Sequence, residues 1–222
     1  MSESAATAEK DLRITEIFHS LQGESRPVGL PTAFIRLTGC PLRCHYCDTE
    51  YAFHGGQRVS TDDILERIAG FGTRHVCVTG GEPLAQPGCS SLLTRLCDND
   101  YDVVLETSGA LSVEHLDPRV CIVLDLKTPA SGEQDKNLWA NLEWLKPDDQ
   151  IKFVIADRAD YEWARTVLRE RDLAAVCPVL FSPVWGEPAF ATELADWILS
   201  DQLNVRFQVQ LHKVLWGDRP GH

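Results

Sequence analysis

Three cysteines close together in the sequence have the clearest capacity for chemistry. Cys40, Cys44 and Cys47 have the spacing C-x3-C-x2-C, which lets three sulfurs surround one small object. Thiolates bind iron–sulfur clusters, ordinarily one to each iron, so three thiolates on a four-iron cluster leave one iron open. An open iron can chelate the amino and carboxylate groups of a ligand. The spacing therefore predicts a [4Fe–4S] cluster that takes part in binding a ligand.

Two other uses of these cysteines stay open at this point. A structural zinc could take His45 as a fourth ligand, although His45 adjoins Cys44 and adjacent residues do not readily converge on one ion. A disulfide with one spare thiol is less favoured in a reducing compartment. The other five cysteines show no mutual spacing, and we interpret them as small core residues: Cys77, Cys89, Cys97, Cys121 and Cys177.

The composition limits the class of protein. The chain has 222 residues, 44% of them hydrophobic, which is enough for one domain with a substantial core. With 21 basic and 33 acidic residues, the net charge of −12 disfavours binding to a large nucleic-acid surface. The first residues lack the apolar stretch of a signal peptide, and no apolar run approaches the ~18 residues that span a membrane. We expect a cytoplasmic protein with reduced thiols.

The elements that must position the cysteines alternate between strands and helices. Residues 12–18 and 32–38 are predicted strands with no helix between them, and residues 188–200 are a predicted helix with Phe190, Leu194, Trp197 and Ile198 on one face. The six further predicted strands are 75–79, 102–106, 120–124, 150–155, 176–181 and 204–209. Such alternation favours a largely parallel sheet.

The fold class that follows is α/β, with a partial β/α barrel. A complete eight-unit barrel needs about 250 residues, and the connection between residues 103 and 121 is short. We expect a flexible tail over residues 1–11 and one domain over residues 12–222. The cysteines then lie in a loop at residues 39–50, directly after a strand, where barrel enzymes assemble their active sites.

The motifs together resemble a known family. The cysteine spacing, with Tyr46 before the last cysteine, is similar to that of the radical S-adenosylmethionine (SAM) superfamily. Along nearly the whole chain, further motifs resemble the 7-carboxy-7-deazaguanine synthase family: SLQGES at 20–25, CDT at 47–49, TGGEP at 79–83 and QLHK at 210–213. The resemblance implies a partial TIM-like barrel of the radical SAM type.

The resemblance also implies an activity. The family contracts 6-carboxy-5,6,7,8-tetrahydropterin to 7-carboxy-7-deazaguanine with loss of ammonia, a lyase reaction on the route to queuosine in transfer RNA. A reductase or flavodoxin-type donor reduces the cluster, SAM yields a 5′-deoxyadenosyl radical that abstracts hydrogen from the substrate, and SAM is regenerated. No catalytic side chain is implied beyond those that hold cluster and cofactor. The family suggests a homodimer without direct nucleic-acid or membrane contact. A glycyl-radical activase and a non-enzymatic zinc-binding module remain as alternatives.

The resemblance assigns residues to the cofactor. The paired glycines before Glu82 allow close approach of backbone to a ligand, and Glu82 is implied to meet the methionine amino group. A plain strand-to-helix turn is the alternative there, and a polar turn is the alternative at residues 106–109. The residues expected to bind SAM are Tyr46, Cys47, Asp48, Gly81, Glu82, Glu106, Ser108, Asp125, Leu126, Lys127 and Ser182.

Further residues are assigned to the substrate. The Glu24 carboxylate suits the adjacent N–H donors of a pterin's guanine-like edge, unless it is simply a solvated acid. Arg36 interrupts an apolar strand and needs an acidic partner, either the substrate carboxylate or a carboxylate of the chain. The residues expected to contact the substrate are Leu21, Gln22, Gly23, Glu24, Arg36, Thr79 and the terminal carboxylate of His222.

A second metal is implied at Thr49, two residues after Cys47. The family contacts Mg²⁺ through this side-chain oxygen, and the substrate carboxylate must complete the site because one hydroxyl binds Mg²⁺ poorly. Magnesium is therefore expected only with substrate, and the alternative is that Thr49 merely shapes the loop. His212 in the QLHK motif is predicted to be a structural histidine.

Overall fold

The computed structural model of the protein describes residues 11–186, 188–219 and 221. In this part of the chain, nine strands form one sheet in the order β3-β1-β2-β4-β5-β6-β7-β8-β9. β1 runs antiparallel to both β2 and β3, and the pairs from β2–β4 to β8–β9 are parallel. The strands are β1 Leu12–Leu21, β2 Pro31–Leu37, β3 Gln57–Val59, β4 His75–Gly80, β5 Asp102–Thr107, β6 Cys121–Asp125, β7 Gln150–Ile155, β8 Val179–Pro183 and β9 Arg206–Phe207.

Six α-helices accompany the sheet in the described residues. Each long helix buries one stripe, for example Ile64 and Ile68 on α1, and Leu194 and Ile198 on α5. The helices are α1 Thr61–Ala69, α2 Cys89–Asp98, α3 Arg158–Glu170, α4 Leu173–Val176, α5 Pro188–Ser200 and α6 Leu211–Trp216. No helix in the described part of the chain is both long and apolar enough to cross a membrane.

The strands alternate between two faces, and this alternation creates the site. On β7, Ile151, Phe153 and Ile155 belong to the main apolar core, so Lys152 and Val154 point to the opposite face. The same period of two gives β2, β4, β5, β6 and β8 one polar side chain each near the carboxyl end of that opposite face. These side chains are Arg36, Thr79, Glu106, Asp125 and Ser182.

The predicted fold class is confirmed, with differences at individual elements. The sheet ends at β3 and β9, so the barrel is open, and no helix lies between β1 and β2 or between β5 and β6 in the described residues. Strand β3 was not predicted, because it is short and polar. The predicted strand at 176–181 is wrong at its start, where α4 ends at Val176 and β8 begins at Val179. Of the predicted strand at 204–209, only Arg206 and Phe207 pair with β8.

Candidate active site

A cavity of about 320 Å³ lies over the polar face of the sheet. Its wall also includes the loop after β1, the cysteine loop and residues around α6. Most residues predicted for the site line it: Leu21, Gln22, Glu24, Arg36, Cys40, Cys44, Tyr46, Cys47, Asp48, Thr49, Thr79, Gly81, Glu106, Ser108, Asp125, Lys127 and Ser182. Gly23, Glu82 and Leu126 do not line it. His222 lies outside the described residues.

The three predicted cluster ligands lie together in the cavity wall as free, partly buried thiols. Burial raises the pKa of Cys40, Cys44 and Cys47, to about 11 for Cys44, while the nearby Lys127 ammonium lowers all three. No three His, Cys, Asp or Glu side chains of the described residues are placed to hold one metal ion. A four-iron cluster does not require that convergence, because each thiolate binds a different iron.

The imidazole of His45, the fourth ligand in the zinc alternative, is engaged elsewhere. Its Nδ1 lies 3.2 Å from the carbonyl oxygen of Ala130, and its backbone N–H donates to Ser131 at 3.0 Å. A Cβ on Gly132 would lie 2.8 Å from the His45 ring. The cysteine loop is thus seated through His45 on a turn that follows β6.

The two glycines at the end of β4, Gly80 and Gly81, are required by the cysteine loop. A Cβ on Gly81 would lie 2.3 Å from the carbonyl oxygen of Gly39, and one on Gly80 would lie 2.2 Å from that of Leu37. The paired glycines were expected to let the backbone approach a ligand closely. In the structure, the groups that approach these glycines closely are the backbone of Leu37 and Gly39. This contact fixes the start of the loop, Gly39 and Cys40, against the end of β4.

Glu82 supports this corner from behind the cavity wall. Its side chain is fully buried, and its Oε1 accepts from the backbone N–H of Leu84 at 2.9 Å. Oε2 accepts from the backbone N–H of Ser108 at 2.6 Å, and the hydroxyls of Thr107 and Ser108 also donate to the carboxylate. The carboxylate therefore joins the turn after β4 to the end of β5 and faces protein donors.

The ends of β6 and β8 present unsatisfied polar atoms. Asp125 Oδ1 and Ser182 Oγ are buried without a hydrogen-bond partner among the described residues, and both residues line the cavity. Asp125 Oδ2 is paired with Lys127 at 3.0 Å. Unpaired buried polar atoms are costly, so a polar ligand in the cavity that hydrogen-bonded to these two would be favoured. Together with three thiols, this set of donors and acceptors fits a cluster with a bound SAM.

Tyr46 and Leu126 hold this region together. The Tyr46 hydroxyl lies 3.2 Å from Thr128 Oγ1, and burial raises the pKa of Tyr46 to about 12. Leu126 is fully buried, and its backbone N–H donates to the carbonyl of Lys152 at 2.9 Å. Tyr46 thus connects the cysteine loop to the segment after β6, whereas Leu126 is packed into the core.

The residues predicted to bind the pterin gather on the other side of the cavity. Gln22 and Glu24 are buried, and Gln22 Oε1 accepts from the backbone N–H of Gly23 at 2.8 Å. Gln22 Nε2 and the Thr79 hydroxyl donate to Glu106, at 3.4 and 3.2 Å. Glu106, predicted for SAM, therefore contacts two predicted substrate residues. Burial, and then the charge of Glu24, raise the pKa of Glu106.

Arg36 forms a salt bridge with an acidic residue of the chain. Its Nε donates to Glu16 Oε1 at 2.7 Å, and the Tyr51 hydroxyl donates to the same oxygen at 2.8 Å. The structure thus contains the internal salt bridge considered from the sequence. Arg36 still lines the cavity, and its two terminal nitrogens donate no hydrogen bond within the described part of the chain. Those nitrogens form the fork that a carboxylate ligand requires.

Thr49 lies beside a carboxylate that the metal prediction did not include. Its hydroxyl donates to Asp48 Oδ1 at 2.8 Å, and Asp48 Oδ2 accepts from Gln210 Nε2 at 3.2 Å. Burial opposes ionisation of Asp48, but these hydrogen bonds and nearby lysines outweigh it and lower the pKa. An anionic oxygen is therefore available next to the Thr49 hydroxyl.

Three of the lining residues that were not predicted for the site contact the loop at residues 22–24. Lys152 forms a salt bridge with Glu24, and Gln210 Nε2 donates to the other oxygen of Glu24 at 2.7 Å. His212 packs on the substrate loop, since a Cβ on Gly23 would lie 2.0 Å from its Nδ1. Burial lowers the pKa of His212, against the charges of Glu24 and Asp48. Lys152 had the same signal as Arg36, a cation within an apolar strand.

Comparisons with known proteins extend over nearly the whole chain. A model of the radical SAM superfamily matches residues 34–118. The 7-carboxy-7-deazaguanine synthase of Chlorobaculum tepidum is 45% identical over 95% of this chain and 96% of its own length. That of Thermoplasma acidophilum is 35% identical over 94% of this chain and 99% of its own.

A solved structure is similar over the same extent. The crystal structure of QueE from Escherichia coli has a TM-score of 0.76 and 25% identity, covering 95% of this chain and 100% of that one. Sequence relatives and fold thus point to the same family. The chain belongs to the 7-carboxy-7-deazaguanine synthase family of the radical SAM superfamily.

Proposed function

We propose that the protein contracts 6-carboxy-5,6,7,8-tetrahydropterin to 7-carboxy-7-deazaguanine with loss of ammonia. One observation carries the proposal: the cysteine loop and the loop that bears Gln22 and Glu24 line the same cavity. A radical source and a site for a guanine-like edge thus lie within reach of each other. Relatives that match nearly the whole of this chain are named 7-carboxy-7-deazaguanine synthase, which supports the same reaction.

Cys40, Cys44 and Cys47 would hold the cluster. When bound, the cluster and SAM supply an electron and a 5′-deoxyadenosyl radical. Asp125 and Ser182 offer their unpaired polar atoms to SAM, while Tyr46, Asp48, Gly81, Ser108 and Lys127 complete that side of the cavity. Glu82 and Leu126 act from behind the wall by fixing the strand ends. The role of the protein's own residues is to bind and orient the cofactor and to keep water from it.

The opposite side would hold the pterin. The terminal nitrogens of Arg36 form a fork for the substrate carboxylate, and Glu24 accepts from the adjacent N–H donors of the guanine-like edge. Gln22 and Thr79 contact the ring from the strand ends. Glu106, whose pKa is raised by burial, is the carboxyl in the cavity best suited to exchange a proton during loss of ammonia.

Several finer features belong to the same proposal. Thr49 binds Mg²⁺ together with the substrate carboxylate, and Asp48 contributes the anionic oxygen that one hydroxyl lacks. A flavodoxin-type protein donates the electron, and the enzyme acts as a cytoplasmic homodimer. The net charge of −12 fits an enzyme that makes a small precursor and does not bind transfer RNA itself.

An anaerobic assay tests the proposal. The protein is reconstituted with iron and sulfide, reduced, and given SAM and the carboxy-tetrahydropterin, and product is measured by liquid chromatography with mass spectrometry. We expect 7-carboxy-7-deazaguanine and ammonia in equal amounts. Cleavage of SAM without deazapurine would contradict the assignment and favour an activase. Colourless protein that contains zinc would contradict the cluster.

A pair of cysteine variants tests the cluster ligands. Cys44→Ala should lose the iron–sulfur absorption and the electron paramagnetic resonance signal with SAM. Cys97→Ala, a buried core cysteine outside the cavity, should keep both. A Cys44→Ala protein that still assembled a cluster able to bind SAM would show that the ligand set is wrong.

A further inference from the structure

Lys152 is a buried cation that no motif of the sequence assigned to the site. On β7 its neighbours Ile151 and Phe153 point into the apolar core, so its own side chain points into the cavity, where it is 12% exposed. An ammonium buried without partners is strongly unfavourable. Its position on this strand therefore depends on the carboxylates that surround it.

Glu24 is the main partner of this ammonium. Lys152 Nζ donates to Glu24 Oε2, and it lies 4.0 Å from Asp125 Oδ2. Asp125 has a nearer cation in Lys127, at 3.0 Å. Burial alone lowers the pKa of Lys152, but the charges of Glu24, Asp125 and Glu106 outweigh it and raise this pKa. The ammonium stays charged at neutral pH.

The backbone shows which partner orients the other. Lys152 lies on an inner strand of the sheet, paired with Asp125 of β6 and Leu180 of β8. Glu24 lies in the loop between β1 and β2, which other segments hold through bonds such as Ser25 N–H to Gln208 Oε1, at 2.6 Å, and Leu211 N–H to Gly23 O, at 2.9 Å. The sheet holds the backbone of Lys152 from both sides, and the ion pair with its ammonium then sets the direction of the Glu24 carboxylate.

We propose that Lys152 is a positioning residue, which holds the Glu24 carboxylate so that its remaining lone pairs face the substrate. A carboxylate has about four acceptor sites, and Lys152 and Gln210 use one on each oxygen. The other sites remain for the paired N–H donors of a guanine-like edge. The inference rests on the proposed function, since it takes Glu24 to be the residue that recognises the pterin.

Substrate binding without turnover tests this role. The reconstituted holoenzyme with SAM but no reductant is titrated with the carboxy-tetrahydropterin in an anaerobic calorimeter. Lys152→Met removes the charge, Lys152→Arg keeps it, Glu24→Gln keeps the shape of its partner, and a double variant combines Lys152→Met with Glu24→Gln. Arg67→Gln, on the exposed surface of α1, controls for the change in net charge.

The expected pattern is specific to positioning. Lys152→Met and Glu24→Gln should each weaken substrate binding about tenfold to a hundredfold, because a charge-assisted hydrogen bond is lost or misdirected. Lys152→Arg and Arg67→Gln should stay within about threefold, as should SAM affinity in every variant. The double variant should bind no more weakly than the weaker single variant, because Lys152 acts through Glu24.

Other results would overturn the inference in identifiable ways. If the unmodified enzyme does not bind the pterin, the proposed function fails. If it binds and Lys152→Met binds equally well, only the role of Lys152 fails. Additive losses in the double variant would mean that Lys152 contacts the substrate independently of Glu24. Should Lys152→Met show no cooperative melting transition, neutral Lys152→Gln replaces it, and substrate affinity equal to that of the unmodified enzyme then refutes the role.

Discussion

Replacing Glu82 by glutamine separates a role in folding from a role in binding SAM. The resemblance assigned the Glu82 carboxylate to the methionine amino group, whereas the structure surrounds it with donors of the protein. Oε1 accepts from the backbone N–H of Leu84 at 2.9 Å, and Oε2 accepts from that of Ser108 at 2.6 Å. A glutamine amide has one oxygen, so whichever way it is turned its NH2 group meets one of these N–H groups.

The size of the effect follows from this geometry. The hydroxyls of Thr107 and Ser108 can turn and accept from an NH2 group, but a backbone N–H cannot. Glu82→Gln thus loses one charge-assisted hydrogen bond and leaves one buried N–H unpaired, a cost of about 2–4 kcal/mol. For a chain of this length, that corresponds to a fall of roughly 5–15 °C in the unfolding midpoint.

The assay uses the apoprotein, with neither cluster nor SAM. Thermal unfolding is followed by circular dichroism under anaerobic, reducing conditions, with Glu66→Gln on the exposed surface of α1 as the matched control. The control should change stability by no more than ~0.5 kcal/mol. An unchanged midpoint for Glu82→Gln in the apoprotein, together with weaker SAM binding in the holoenzyme, would refute the structural role and return Glu82 to the cofactor.

Three further predictions concern the supports of the site. Gly81→Ala places a Cβ 2.3 Å from a carbonyl oxygen; it should cost about 1–3 kcal/mol and lower the iron bound per chain, while Gly70→Ala, with a nearest contact of 3.4 Å, should do neither. Glu106 has a pKa raised mainly by burial, so its ionised form opposes folding at neutral pH. Glu106→Gln should therefore raise the thermal unfolding midpoint at pH 7.5, and this gain should vanish near pH 4. A gain independent of pH would contradict this explanation. Asp160→Asn should destabilise the apoprotein by about 2 kcal/mol, since one carboxylate oxygen accepts from the backbone N–H of Ala130 and the other from that of Ala156. Ala130 lies in the turn that contacts His45, so the variant should also alter the electron paramagnetic resonance signal of the reduced cluster. An unaltered signal would show that this turn does not position the cluster.

The fold could be predicted largely because hydrophobic runs mark the central strands. The helix at Pro188–Ser200 was predicted with its bounds, since Leu194 and Ile198 recur at helical spacing and are buried. The errors lie where that signal is weak. β3 has only one buried residue, Val59, and an apolar run as short as that around Val176 does not distinguish a helical turn from a strand.

The sequence predicted many of the residues that line the cavity but not how they are arranged. Motifs placed Gln22, Glu24 and Thr79 on the substrate side, and they do lie together. Glu106 was placed with the cofactor because it lies at the end of β5, the strand that Ser108 directly follows. Its side chain instead points toward Gln22 and Thr79, because neighbouring strands bring residues far apart in sequence to one face. The order of residues along a strand does not reveal which neighbours they meet.

Arg36 and Lys152 show how far burial of a charged side chain predicts its partner. Each is a cation within an apolar strand, so each had to have an acidic partner. The partner of Arg36, Glu16, lies on β1 directly opposite in the register, and a prediction of the β1–β2 hairpin would have supplied it. The partner of Lys152, Glu24, lies 128 positions away in the sequence, in a loop that comes next to β7 only in the complete fold. Burial of a charge predicts that a partner exists, and the register of the sheet identifies that partner only when it lies on a neighbouring strand.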